Sequence, residues 1–184
     1  MNPSTELIQD TIAGNRKAQL ELYKLCFGTL MGVARRYKKN DEDQQTLVNN
    51  AYIKIVTSLE RYEDKSSFYG WIKRIVMNEV IDDYRRNKKY YEFINQDKAV
   101  EKMELVEYSE SDYIHSEEEL LNMIETLPKA TKLVFNLFAI DGYSHKEICE
   151  QLGIGEETTK WHMKEARKKL KSLLEKNVNH EQPQ

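Results

Sequence analysis

Lys160, Lys164, Lys168 and Lys171 recur at spacings of three and four, so they gather on one side of a helix with Trp161 among them and Arg167 beside them. Ammonium and guanidinium groups arrayed this way suit phosphate oxygens. Thr158 to Lys176 holds seven Lys or Arg against two Glu, the electrostatic footprint of a phosphate-binding face. A solvated helix face has the same composition, so the neighbouring segment decides. Ser144-His145-Lys146-Glu147 has the Ser-x-x-Glu form of a capping box, which starts a short helix through Ile148, Cys149 and Leu152. Gly153-Ile154-Gly155 then supplies a tight turn, and a second helix begins near Glu156. Met163, Ala166, Leu170 and Leu174 form its apolar stripe, opposite the lysines. The pattern is a helix-turn-helix with a basic outer face, and it points to DNA.

A second polar set lies upstream. Arg74, Asn78, Asp82 and Arg85 are spaced by four, four and three and line one helix face, with Lys73, Arg86, Lys88 and Lys89 around them. Cations there can hold phosphates, Asn78 can bond a base edge, and Tyr62, Phe68 and Tyr69 can stack on an unpaired base. A structural alternative stands beside this: Phe68 and Trp71 as core, and Asp82 with Arg85 or Arg86 as an intrahelical ion pair.

Catalytic and metal chemistry find no support. Cys26 and Cys149 sit in apolar helical patterns as small core residues. His115, His145, His162 and His180 are scattered without ligand spacing, and no cofactor motif is present. A DNA-acting enzyme such as a recombinase would need a nucleophilic Ser or Tyr beside an arginine cluster, or a metal-binding acidic set, and none stands out.

The elements that must carry these faces read as helices throughout, an all-α chain of two small domains joined by an acidic linker. In the first, a helix from about Ser4 to Ala13 stops at Gly14-Asn15. A longer one to about Tyr37 carries Leu20, Tyr23, Phe27, Leu30 and Ala34 on one side. Asp41 or Asp43 caps the third, with Leu47, Val48, Ala51, Tyr52, Ile55, Val56 and Leu59 apolar. Ser66-Ser67 cap the fourth, whose stripe is Phe68, Trp71, Ile72, Ile75, Val76 and Val80. The second domain holds helices at about Ser116 to Glu125, Lys129 to Ala139 after a first-turn Pro128, Ser144 to Leu152 and Glu156 to Glu175. Domain boundaries are expected at 1–90, 91–115 for the linker, and 116–176 for the helix-turn-helix domain, with a flexible tail at 177–184. Of the net charge of −3, Glu92 to Glu119 carries −8 and the flanking halves +5. No stretch approaches the roughly 20 apolar residues of a membrane span, and no signal peptide opens the chain, so a cytoplasmic protein without membrane insertion is expected.

Three stretches in order resemble the extracytoplasmic-function (ECF) group of sigma-70 family RNA polymerase sigma factors. Asp43-Gln44-Gln45-Thr46-Leu47-Val48-Asn49-Asn50-Ala51-Tyr52-Ile53-Lys54 resembles the segment that grips the polymerase clamp helices. Phe68 through Arg86 is similar to the stretch that opens and reads the −10 promoter element. Leu127-Pro128 through Leu170, ending Ala166-Arg167-Lys168-Lys169-Leu170, resembles the −35-reading domain. The resemblance implies a protein without a catalytic site that binds core RNA polymerase through its clamp helices and flap, binds promoter DNA, and has an anti-sigma protein as a further partner. It assigns −35 contacts to Thr158, Lys160, Trp161, Lys164, Arg167 and Lys168. For the −10 element it assigns Tyr62, Ser67, Phe68, Arg74, Asn78, Asp82, Arg85 and Arg86, with the Tyr62 to Ser67 loop walling a pocket for an extruded base. For the polymerase it assigns Thr46, Leu47, Asn49, Asn50 and Ile53.

The chain departs from the family pattern at several of these positions. Thr46, Asn49 and Asn50 stand where relatives commonly have Asp, Gln and an acidic residue. Trp161 replaces a usually small residue, to touch a thymine methyl or sugar or to fold over Lys164. Glu165 stands where a basic residue is frequent, to accept from a cytosine amino group or support a lysine. The acidic linker reads either as a mimic of nucleic acid in the polymerase's RNA exit region or as a solvated tether. A stand-alone helix-turn-helix repressor is the competing reading; it would bind duplex DNA as a dimer and leave the −10-like helix without a purpose.

Overall fold

The computed structural model of the chain describes residues 2–63, 67–95 and 116–180, with side chains described outside 88–95, 117 and 176–180. The protein is all-α, with no strand among the described residues. It divides into two compact units, Met1–Arg85 and Arg86–Gln184.

In the first unit, α1 (Thr5–Ile12) is capped by the Ser4 hydroxyl, which accepts the Leu7 N–H at 3.1 Å. Gly14, at φ +83°, turns the chain into α2 (Arg16–Tyr37), where Asn15 caps the new helix. The cap of α3 (Asp41–Ser58) is Asn40, whose side-chain oxygen accepts the Asp43 N–H at 2.7 Å, rather than Asp41 or Asp43. Those two acids lie in the first turn, where their charges favour the helix N-terminus. A 3₁₀ turn (Leu59–Arg61) leads towards α4 (Phe68–Asn95), which continues five residues past the boundary expected at 90.

The core between α2, α3 and α4 is built from Leu22, Cys26, Leu30, Val48, Ile55, Phe68, Ile72 and Val76, each fully buried. Burial pushes the Cys26 thiol up to about 12, as befits a packing residue. The side of α2 turned inward is Ala18, Leu22, Cys26, Leu30, Val33 and Ala34. Leu20 and Phe27, expected on one side with Leu30 and Ala34, are exposed while those two are buried. Both sides of this helix carry apolar residues, so periodicity by itself did not distinguish them. Lys38 adds a brace from the end of α2 to α4, its ammonium 2.5 Å from the Asp83 carboxylate.

In the second unit, Ser116 and Glu119 form a capping box at the start of α5 (Glu117–Glu125). Pro128 stands at the N-cap of α6 (Lys129–Phe135), one position before the first turn, and α6 runs into a π-helical turn (Asn136–Ile140). The second capping box, Ser144 with Glu147, opens α7 (His145–Leu152). Its carboxylate is held below the usual range by the Ser144 backbone N–H and hydroxyl. Gly153 ends α7 in the left-handed region at φ +62°, its N–H bonded to the Cys149 carbonyl at 2.9 Å. Then α8 (Glu156–His180) begins. It stays helical through His180, so the first four residues of the segment expected to be a flexible tail continue the helix. Residues 96–115, nearly all of the expected linker, lie outside the described residues. Ile148, Leu152, Met163, Ala166, Leu133 and Leu137 close the second core.

Candidate nucleic-acid interface

On α8 the residues singled out from sequence share an outward side. Thr158, Lys160, Trp161, Lys164, Arg167 and Lys168 are exposed, while Thr159, Met163 and Ala166 are buried beneath them. Lys160 does not stand free: its ammonium lies 2.9 Å from Glu156 and 3.5 Å from Glu157, in the first turn of its own helix. Its pKa is raised by the hydrogen bond to Glu156, and that carboxyl's is lowered by the same bond. Exposed pairs of this kind are screened by solvent and exchange readily for another anion, so they tether Lys160 without consuming it. Trp161 keeps 40% of its surface exposed and meets the His162 ring edge-on, with centroids 4.8 Å apart at 68°. It points away from the Met163 stripe, as the helical wheel expects.

Three groups that sequence spacing left without a role hold this helix. The Nδ1 of His162 lies 3.0 Å from the Thr131 hydroxyl on α6, and burial pushes its pKa down to about 4. From α7, the Nδ1 of His145 lies 2.9 Å from the buried Thr159 hydroxyl of α8. Lys169 donates to the Thr126 carbonyl. Below them, Lys132 is 8% exposed and pairs with Glu125 at 2.8 Å, bracing α6 against α5. Interhelical bonds of this sort leave no periodic trace in a sequence.

On α4, Arg74, Asn78 and Arg85 are exposed and Asp82 is half-buried, and Arg86 is exposed beside them. Asp82 is also part of an ion-pair network. Arg85 approaches it at 3.6 Å, and Lys54 of α3 reaches it at 3.5 Å while contacting Glu79 at 2.5 Å. Glu79 is 4% exposed, and its carboxylate is the main reason the Lys54 pKa is raised. The intrahelical pair weighed from sequence is thus present, with Arg85, and it extends to a cross-helix lysine that spacing did not suggest.

The entry to α4 is an aromatic cluster. Tyr62 meets Phe68 edge-on at 5.2 Å and lies tilted 5.2 Å from Trp71, while Phe68 lies 5.8 Å from Trp71. Phe68 is fully buried, which removes it from the residues able to stack on a base and makes it the anchor for Tyr62 and Tyr69, both half-buried. Ser67 accepts the Gly70 N–H at 3.4 Å, in the manner of a cap, and the Asn2 side chain accepts the Phe68 N–H at 3.2 Å. Asp64, Lys65 and Ser66, including one of the two expected caps, lie outside the described residues.

On α3, Thr46, Asn49, Asn50 and Ile53 are exposed at helical spacing, with Ile53 at 60%. Asn49 accepts from Gln45, whose amide also donates to the Tyr23 hydroxyl. Leu47 is 3% exposed and belongs to the core, so it supports this face rather than offering surface to a partner. Among the described residues no group of three or more His, Cys, Asp or Glu is disposed to hold a metal ion, and no helix is long and apolar enough to cross a membrane.

The family model described as ECF sigma factor matches residues 1–176. The chain belongs to that family. Among relatives, the RNA polymerase sigma factor SigZ of Bacillus subtilis (strain 168) is 29% identical over 149 residues, covering 76% of this chain and 77% of SigZ. The ECF RNA polymerase sigma factor SigE of Mycolicibacterium smegmatis (strain ATCC 700084 / mc(2)155) is 24% identical over 149 residues, 79% of this chain but only 57% of SigE. Among solved structures, the sigma factor RpoE from Bartonella quintana, in complex with the anti-sigma factor NepR, superposes with a TM-score of 0.50 at 18% identity. That match covers 84% of this chain and 95% of the other and speaks to the fold. This ECF sigma factor therefore has its three motif stretches inside the matched span.

Proposed function

We propose that this ECF sigma factor binds core RNA polymerase and directs it to promoters by reading the −35 element with α8 and by capturing and opening the −10 element at the start of α4. The observation that carries the reading is the outer side of α8, where four cations and Trp161 are exposed together over a buried stripe. A helix so faced fits a major groove: Lys160 and Lys164 towards base edges or phosphates, Arg167 and Lys168 to the backbone, Thr158 and Trp161 at the leading end. Release of Lys160 from Glu156 and Glu157 accompanies docking.

At the −10 element, an extruded base would enter beside Tyr62 and Ser67, over Asn78 and Asp82, with Arg74, Arg85 and Arg86 on the phosphates. Unstacking costs a few kcal/mol, which stacking and hydrogen bonds in the pocket can offset. Thr46, Asn49, Asn50 and Ile53 would face the polymerase clamp helices, with the flap as a second contact. An anti-sigma protein covering these faces, acting in the cytoplasm, would fit the company in which the related RpoE was solved.

The test is a pull-down of purified bacterial core polymerase followed by run-off transcription on a genomic promoter pool. Binding with new discrete start sites is the expected result. A folded, inhibitor-free sample that fails to bind polymerase refutes the proposal and puts a stand-alone repressor in its place.

A further inference from the structure

We propose that His145 is a positioning residue that sets the rotation of the first turn of α8, and so the aim of the groove-facing side chains there; this rests on α8 being the −35 reader. Thr159 lies in that turn and is fully buried, and its hydroxyl donates to the Glu156 carbonyl at 2.8 Å. A hydroxyl has one proton to give. The 2.9 Å contact with His145 must then be donated by the imidazole, which places a proton on Nδ1 and fixes the ring's orientation.

The other side of that ring is held as well. Phe138 stacks on it with centroids 4.4 Å apart and 26° between planes. Phe138 comes from the π-helical turn Asn136–Ile140, a rare irregularity that is frequent at functional sites. The ring is therefore a plate seated on one element with its Nδ1–H aimed into another. Burial of apolar side chains resists separation of α7 and α8 but is non-directional; a hydrogen bond into the first turn resists its rotation. The same turn carries Glu156, which tethers Lys160 at 2.9 Å, so the angle set by His145 reaches a side chain of the reading face.

Three substitutions in the full chain separate the parts. His145→Phe keeps the stacking plate and loses the donor. His145→Asn loses the plate but puts an amide N–H near the position of Nδ1. Thr159→Val removes the acceptor at nearly constant volume. Each is assayed with core polymerase by run-off transcription from a promoter that the wild-type protein selects from the genomic pool, intact and with its upstream element scrambled. The readout is the preference between the two, alongside polymerase affinity and helix content. The preference should fall about five- to tenfold in His145→Phe and Thr159→Val, no further in the double variant, and recover for the most part in His145→Asn, with polymerase affinity unchanged. Full preference in His145→Phe, an equal loss in His145→Asn, or additive losses in the double variant would each overturn the assignment. If the wild-type protein shows no preference between the promoters, the role of α8 fails first and that of His145 with it.

Discussion

Acid should destabilise the second unit through His162 before any carboxylate matters. Burial lowers this imidazole from an ordinary 6.5 to about 4. Between those values the unfolded chain binds a proton that the folded chain refuses, so stability is complete above about pH 6.5, declines as pH falls, and levels off below about 4. At about pH 4.5 the loss from this group is of order 2.5 kcal/mol, and for a small helical unit that lowers Tm by roughly 10 °C or more. Glu147 and Glu156 are held below their ordinary 4.5 by Ser144 and Lys160 respectively, so their stabilisation is present above that value and is lost only as pH falls through and below it, after most of the His162 loss has occurred. The chain has two tryptophans, one in each unit, and in a Trp71→Phe background the fluorescence of Trp161 follows the second unit alone. Melting curves at about pH 7.5 and about pH 4.5 would be compared with those of His162→Gln, which keeps a polar partner for Thr131 and does not titrate. An acid loss of the same size in His162→Gln, or none in the parent, refutes the reasoning.

Replacing Lys160 and Lys164 together by Ala should lower −35-dependent transcription about tenfold or more and flatten its salt dependence, with polymerase pull-down unchanged; loss of pull-down would show that these lysines serve another face. Asn78→Ala or Asp82→Asn should impair strand opening, read by permanganate reactivity, more than closed-complex binding; equal loss in both steps would make that side of α4 structural. Ile53→Asp, at a position 60% exposed, should leave folding intact and weaken polymerase binding about tenfold, and unchanged affinity would remove Ile53 from the interface. Gly153→Ala should cost about 1 kcal/mol or more in the melting of the second unit, since its φ of +62° is strained for a residue with a Cβ; an unshifted melt would mean that the turn relaxes to another geometry.

What the sequence made legible and what it hid follow from the range of the forces involved. Outward charge and inward apolar stripes repeat with the helix, so the exposed side of α8 and the Arg74 to Arg85 side of α4 could be read before any coordinates. The capping box at Ser144 was legible for the same reason, being closed within four residues, whereas the equally local one at Ser116 emerged only with the structure. Where apolar residues cover both sides of a helix, as on α2, the period still marks a helix but no longer says which side is buried. With Asn40, Asp41 and Asp43 all competent to cap, only backbone conformation chose among them. The π-helical turn after α6 has no compositional signature at all.

The groups that position the candidate faces were the least legible, and the reason is common to them. His145 with Thr159, His162 with Thr131, Lys54 with Glu79, and Asn2 with the Phe68 N–H join residues between 14 and 66 positions apart, so no local pattern announces them. A histidine count asks about metal spacing and misses an imidazole that orients a helix. The division is physical: residues that meet a partner must be repeated along one exposed side, whereas residues that aim that side need a single directional bond to a neighbouring element. Substituting the first kind should weaken binding roughly in proportion to charge or area, and substituting the second should blunt discrimination while the fold and the polymerase contact persist.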